Sequence, residues 1–156
     1  MGLKVNTHKC EVWTDGDPNL LALFPPEMTR LPPEGFDLLG APVGSARFCE
    51  DFVTKRVRII AEHARRLEGL DDPQAELTLL RSCVGFPKFA FALRTAPPKL
   101  IWTAITRFDE TMDEVAAQRF DLSWSPSVRA QWNLPVRLGG GGGGLARGGL
   151  CRPRLP

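Results

Sequence analysis

The feature that most constrains this chain is an apolar stripe of helical period that runs from residue 45 to residue 132. Cys49, Val53, Val57, Ile60, Ala64 and Leu67 step by three or four positions, which keeps them on one face of a helix. Ser45 stands ahead of the stripe, where its hydroxyl can accept from a free first-turn amide, and Gly69 stands near its stop. Asp72-Pro73 opens a second helix, an N-cap followed by the residue favoured at the first helical position. That helix carries Leu77, Leu80 and Val84 inward and meets Gly85. A third runs from about Pro87 to Thr95, with Phe86, Phe89 and Leu93 on one side, and Pro97-Pro98 ends it. Ile101, Ala104, Ile105, Phe108, Met112, Val115, Ala116 and Phe120 then hold the period over about five turns. Ser125-Pro126 starts a short fifth helix through Trp132.

The flanks lack that period. Pro18, Pro25, Pro26, Pro32, Pro33 and Pro42 crowd the front, and Gly139 to Gly144, Gly148 and Gly149 crowd the end. Leu3 and Val5 alternate with polar neighbours, and Cys10, Val12 and Trp13 follow, which predicts one or two short strands over 3–13. Leu20 to Phe24 and Phe36 to Leu39 are apolar runs too short for periodicity to separate strand from helix. Leu134 to Leu138 reads as extended. The expected fold is mainly α (α+β): a small N-terminal β element, a bundle of roughly four to five helices, and a flexible Gly-rich C-terminal tail. The corresponding regions are 1–44, 45–138 and 139–156.

Composition sets outer limits. Hydrophobic residues are 43%, charged residues 24%, and the net charge is +2, values of a folding chain rather than a charge-driven disordered one. No apolar run approaches the ~18 residues of a membrane span, so no membrane partner is expected. Met1 to Asn6 has no apolar core of a secretion signal. Cys10, Cys49, Cys83 and Cys151 show no zinc-knuckle spacing. Free thiols in a reducing compartment, cytoplasmic or nuclear, are therefore expected.

Catalytic chemistry finds little to work with. A two-metal site needs clustered carboxylates, and the adjacent pair Asp71-Asp72 precedes a proline and a helical pattern, as a cap does. His8 and Cys10 have no second pair of ligands in view, and His63 lies mid-helix among charges. The Gly139–Gly144 run lacks the Lys-Ser/Thr ending of a phosphate loop. No catalytic residue, no metal ligand and no cofactor bound by this chain are expected. The basic residues speak more clearly. The helix after Ser45 holds Arg47, Lys55, Arg56, Arg58, Arg65 and Arg66 against Glu50, Asp51 and Glu62, and no acid follows Asp121. Such residues can track a phosphate backbone, where counterion release favours binding; they can equally be a solvated helix face.

Two strings add a resemblance. Gly2-Leu3-Lys4-Val5-Asn6-Thr7-His8-Lys9-Cys10-Glu11 resembles the segment that follows the catalytic aspartate hairpin in reverse transcriptases of non-LTR retrotransposons. Phe36-Asp37-Leu38-Leu39-Gly40-Ala41-Pro42-Val43-Gly44 is similar to that family's primer grip. Leu79 to Cys83, Leu93 to Pro98, Phe108-Asp109 and Leu134 to Gly140 resemble the helical region beyond it. The resemblance implies the end of a palm plus a helical thumb of an RNA-directed DNA polymerase. The family's metal-binding aspartates, which hold Mg in the intact enzyme, lie upstream of Gly2, so the expected partner is a missing upstream polymerase part and the chain alone is expected to be inactive. Leu38, Leu39, Gly40 and Gly44 would form the primer-grip-like turn. Lys9, Arg47, Lys55, Arg56, Arg58, Arg65 and Arg66 would contact an RNA or DNA duplex weakly and without sequence preference. The other reading is a helical protein-interaction module with no nucleic-acid role.

Overall fold

A computed structural model describes residues 4–15 and 17–140 of the chain. In chain order its elements are β1 (Glu11–Val12), α1 (Pro18–Leu21), β2 (Thr29–Arg30), β3 (Gly35–Leu38), β4 (Ala41–Gly44), α2 (Ala46–Arg66), α3 (Pro73–Leu79), α4 (Phe86–Thr95), α5 (Trp102–Phe120) and α6 (Pro126–Trp132). The molecule is mainly helical, with its strands confined to the front.

Helices α2 and α5 are the longest, and they pack on each other through the stripes read in the sequence. Cys49, Val53, Val57, Ile60 and Ala64 of α2 are buried, as are Ala104, Ile105, Phe108, Met112, Val115 and Ala116 of α5. Phe89 of α4 stacks on Phe108, with ring centroids 4.4 Å apart and planes 11° from parallel. Ile101, directly before α5, is fully buried. The side-chain caps fall where the sequence placed them: Ser45 accepts from the Phe48 amide, Asp72 from Gln74 and Ala75, and Ser125 from Val128. Each satisfies amides that the first helical turn leaves without a partner.

Between α3 and α4 the chain makes a π turn over Leu80–Val84, and the Gly85 amide donates to the Leu80 carbonyl at 2.7 Å. Gly85, at φ −73° and ψ −121°, then breaks the helical path before α4. The burial of α3 also departs from the sequence pattern. Leu77 is only half-buried, and Glu76 takes the inward position with 3% of its surface exposed. Its carboxylate accepts from Nε of Arg119 at 2.6 Å and from Nη2 of the same residue. A buried carboxylate is costly unless paired, and this fork joins α3 to the end of α5. The pairing raises the Arg119 pKa above its ordinary value, chiefly through the hydrogen bond it donates to Glu76.

The front differs in detail from the sequence reading. Residues 7–9 form a 3₁₀ turn instead of a strand, because the Cys10 amide folds back to the Thr7 carbonyl. Pairing begins only at Glu11 and Val12, in parallel with Thr29 and Arg30. The Leu20–Phe24 run is the end of α1 and the turn after it, with Leu20, Leu23 and Phe24 exposed. Phe36–Leu38 belongs to an antiparallel hairpin of β3 and β4, with Gly35 opposite Gly44 and Leu38 opposite Ala41. The two glycines let the strands close at their open end. A Cβ on Gly44 would meet the Gly35 backbone, and one on Gly35 would meet the Phe48 ring at 2.6 Å.

Two further differences lie in and after the helical region. Gly69 sits inside a 3₁₀ extension of α2, and it is Asp71, at φ 52°, that takes the left-handed position where the helix stops. Residues 136–138 form a 3₁₀ turn rather than an extended segment. After it, Arg81 donates from Nη2 to the Gly140 carbonyl at 2.7 Å. The flexible tail expected over 139–156 lies, beyond Gly140, outside the described residues, as do Arg147, Cys151, Arg152 and Arg154. Among the described residues, no helix is long and apolar enough to cross a membrane.

Candidate nucleic-acid interface

Positions on an α-helix advance by about 100° each, so a list of basic residues along α2 is not yet a surface. Arg58 and Arg65 are seven positions apart and point almost the same way. Lys55 is turned by about 60° from Arg58, and Arg56, two positions from Arg58, points to the far flank, roughly 160° away. The cations of this helix therefore do not share one side: Lys55, Arg58 and Arg65 face one way and Arg56 the other.

On one flank, Lys55, Arg58 and Arg65 line a groove of about 390 Å³ between α2 and α5, together with Thr54, Val57 and Ala61. The α5 wall brings Arg107, Glu110, Thr111 and Glu114. Four cations thus face one open groove with two carboxylates. Lys55, Arg58 and Arg65 are exposed, so they keep their hydration and can exchange it for phosphate oxygens. Arg107, Glu110, Thr111 and Glu114 were not singled out in the sequence. The signal was present: they recur at three- and four-residue steps, forming a polar stripe on α5 beside its apolar one.

On the other flank, Arg56 is half-buried and donates from Nη2 to the Gly40 carbonyl at 3.3 Å. Its guanidinium also lies 5.3 Å from the centre of the Phe52 ring. Both contacts fix it to the hairpin, so Arg56 ties β3 and β4 to α2 rather than extending the basic groove. Just before it, Cys49 is buried under β4, its Sγ 3.8 Å from the carbonyls of Pro42 and Gly44. Burial pushes this thiol above its ordinary pKa, against a smaller lowering by its backbone hydrogen bond.

The remaining sequence candidates lie apart from the groove. Arg47 is 94% exposed and forms a 4.0 Å ion pair with Asp51, an arrangement that solvent leaves with little energy. Arg66 is exposed in the last turn of α2, and Lys9 is exposed in the 3₁₀ turn of the front; neither lines the groove. Leu38, Leu39 and Gly40 form the hairpin tip and Gly44 its open end. Leu39 and Gly40 are the two central residues of the turn, at φ 53° and 87°, the pattern of a type I′ turn, in which asparagine and glycine are the favoured pair. The Asp37 carboxylate accepts from the Gly40 amide and closes the turn.

Cys10 hydrogen-bonds through its thiol to the Asn6 carbonyl, and no group of three or more His, Cys, Asp or Glu side chains gathers into a metal site among the described residues. Asp72 caps α3, as read from the sequence, and Asp71 occupies the left-handed stop before it. No protein-family model, no curated protein and no solved structure matches this chain.

Proposed function

We propose that the chain binds nucleic-acid duplexes weakly and without sequence preference, through the groove between α2 and α5, as a segment resembling the palm end and thumb of a retrotransposon reverse transcriptase. The observation that carries the reading is the convergence of Lys55, Arg58 and Arg65 from one helix with Arg107 from another. Cations on two helices can hold successive phosphates, and such contacts position a duplex without reading its bases. Glu110 and Glu114 on the same wall limit how many phosphates the groove accepts, which keeps affinity in the ~10⁻⁴–10⁻⁶ M range of non-specific binders. The residues that carry the resemblance include no clustered carboxylates, so the proposal assigns this chain no polymerase step of its own.

Fluorescence anisotropy with a labelled duplex at several salt concentrations tests the binding. Each phosphate contact is expected to contribute roughly 0.9 to the slope of log affinity against log salt on B-form DNA, so three or four contacts give a slope of roughly 2.7–3.6 in magnitude. A salt-independent affinity, or none at low salt, would overturn the proposal. Primer extension by the purified chain with Mg²⁺ would overturn its catalytic half.

A second reading is favoured by one observation. Large apolar side chains stand in solvent at the hairpin tip, where Leu39 is 93% exposed. Singly exposed leucines are ordinary, but grouped ones mark contact surfaces.

A further inference from the structure

The hairpin tip carries two unusual features at once. Leu39 occupies the left-handed region at φ 53°, which is unfavourable for a residue with a Cβ and which glycine or asparagine would take more readily. Its side chain meets almost nothing within the molecule, so no internal packing compensates the strain. A strained backbone that holds a large apolar group out in water is the kind of local conflict that accompanies a contact with something else.

The surroundings define what that something is. Leu38 is 53% exposed, and Phe91 of α4 is 44% exposed. A Cβ built on Gly40 would lie 3.4 Å from Phe91 Cε1 and 3.1 Å from the Arg56 guanidinium, so the hairpin tip that carries the leucine pair sits against α4 at Phe91 and against α2 at Arg56. Lys88 and Arg94, both exposed, stand one turn before and one turn after Phe91 on α4. The patch is therefore apolar at its centre and cationic around its edge. One carboxylate, Asp37, also stands at the tip, exposed and accepting from the Gly40 amide, and the two cations of α4 outnumber it.

We propose that this patch docks an acidic amphipathic helix of a protein partner, whose leucine-type face covers Leu38, Leu39 and Phe91 while its carboxylates meet Lys88 and Arg94. A second copy of this chain is the poorer occupant, because self-association about a two-fold axis would bring the cationic rims face to face. A nucleic acid is also the poorer occupant, since the centre offers two leucines and a single ring rather than a series of stacking platforms. The surface lies on the flank of α2 opposite the basic groove, so the two sites stand independently.

Anisotropy of a labelled helical peptide, leucines on one face and glutamates on the other, tests the proposal with the full chain. The acidic peptide is expected to bind saturably, and the same peptide with lysines for glutamates is expected not to bind. Leu39→Gly suits the backbone of the turn and removes only the side chain, so it should keep the fold while weakening the peptide by about tenfold, the scale of an interface anchor. Lys88→Glu should weaken it as well, and Arg58→Ala with Arg65→Ala should leave it unchanged. Equal binding of acidic and basic peptides, no saturable binding, or full affinity in Leu39→Gly with its melting temperature intact would overturn the proposal. Displacement of the peptide by a mixed-sequence oligonucleotide from the wild-type chain, together with loss of oligonucleotide binding in Leu39→Gly, would overturn it in favour of a nucleic-acid surface.

Discussion

Arg56 and Arg58 are the same residue type on the same helix, two positions apart, and they belong to different parts of the molecule. Arg56 faces the hairpin, half-buried, with its guanidinium on a backbone carbonyl and against a ring. Arg58 faces α5 across an open groove with Lys55, Arg65 and Arg107 around it. One flank of α2 spends its cation on holding the front of the chain, and the other leaves its cations in water. The charge of a helix is thus a poor guide to a binding surface until it is resolved by azimuth and burial.

The largest expected effect falls on both flanks together. Phe108 lies beneath them, 2% exposed and stacked on Phe89, so Phe108→Ala should cost about 3–5 kcal/mol. Urea unfolding followed by far-ultraviolet circular dichroism would show it as a lower midpoint. An unchanged midpoint would mean that α2 and α5 do not share a packed core.

The next substitution separates the flanks. Gly44→Ala puts a methyl where the Gly35 backbone stands and forces a side chain into a backbone conformation that disfavours it, at a cost of about 1–3 kcal/mol. Alkylation of the buried Cys49 beneath β4 should accelerate, while duplex binding at the groove stays as it was. Loss of duplex binding in this variant, with the helices intact, would join the two flanks into one surface.

Arg56→Ala should behave as a smaller version of the same break. It removes a hydrogen bond worth about 0.5–1.5 kcal/mol and should loosen the hairpin, measured as faster amide exchange at residues 35–44. Leu39→Gly is the smallest change and has the opposite sign. Relief of the left-handed strain should raise stability by about 1 kcal/mol, read as a higher melting temperature, and a fall would mean that the leucine packs within the chain.

These contrasts also show what the sequence made legible. Helix α5 could be read almost to the residue because its apolar positions repeat without interruption, and repetition is what periodicity detects. The caps of α2, α3 and α6 could be read because Ser45, Asp72 and Ser125 act on amides two or three positions away. Glu76 could not be read, because its partner Arg119 is 43 positions further along the chain and nothing local marks a charged residue as buried. The π turn at Leu80–Val84 carries no glycine or proline inside it to announce the extra residue. The hairpin was ambiguous for a different reason: four residues are too few to show a period, and Leu39 stands where a turn signal would have been asparagine or glycine. The basic face was half legible, since the residue types were plain while their division between two flanks depended on what packs against each side.

The division of α2 into a hairpin-holding flank and a flank proposed to bind phosphates is tested most directly by comparing the salt dependence of duplex binding in two variants. Arg58→Ala with Arg65→Ala should lower the slope of log affinity against log salt by roughly 1.8, about 0.9 for each lost contact on B-form DNA, without moving the melting temperature. Arg56→Ala should leave the slope at the wild-type value while lowering the melting temperature. Equal losses of slope in the two variants, or a loss confined to Arg56→Ala, would contradict the account.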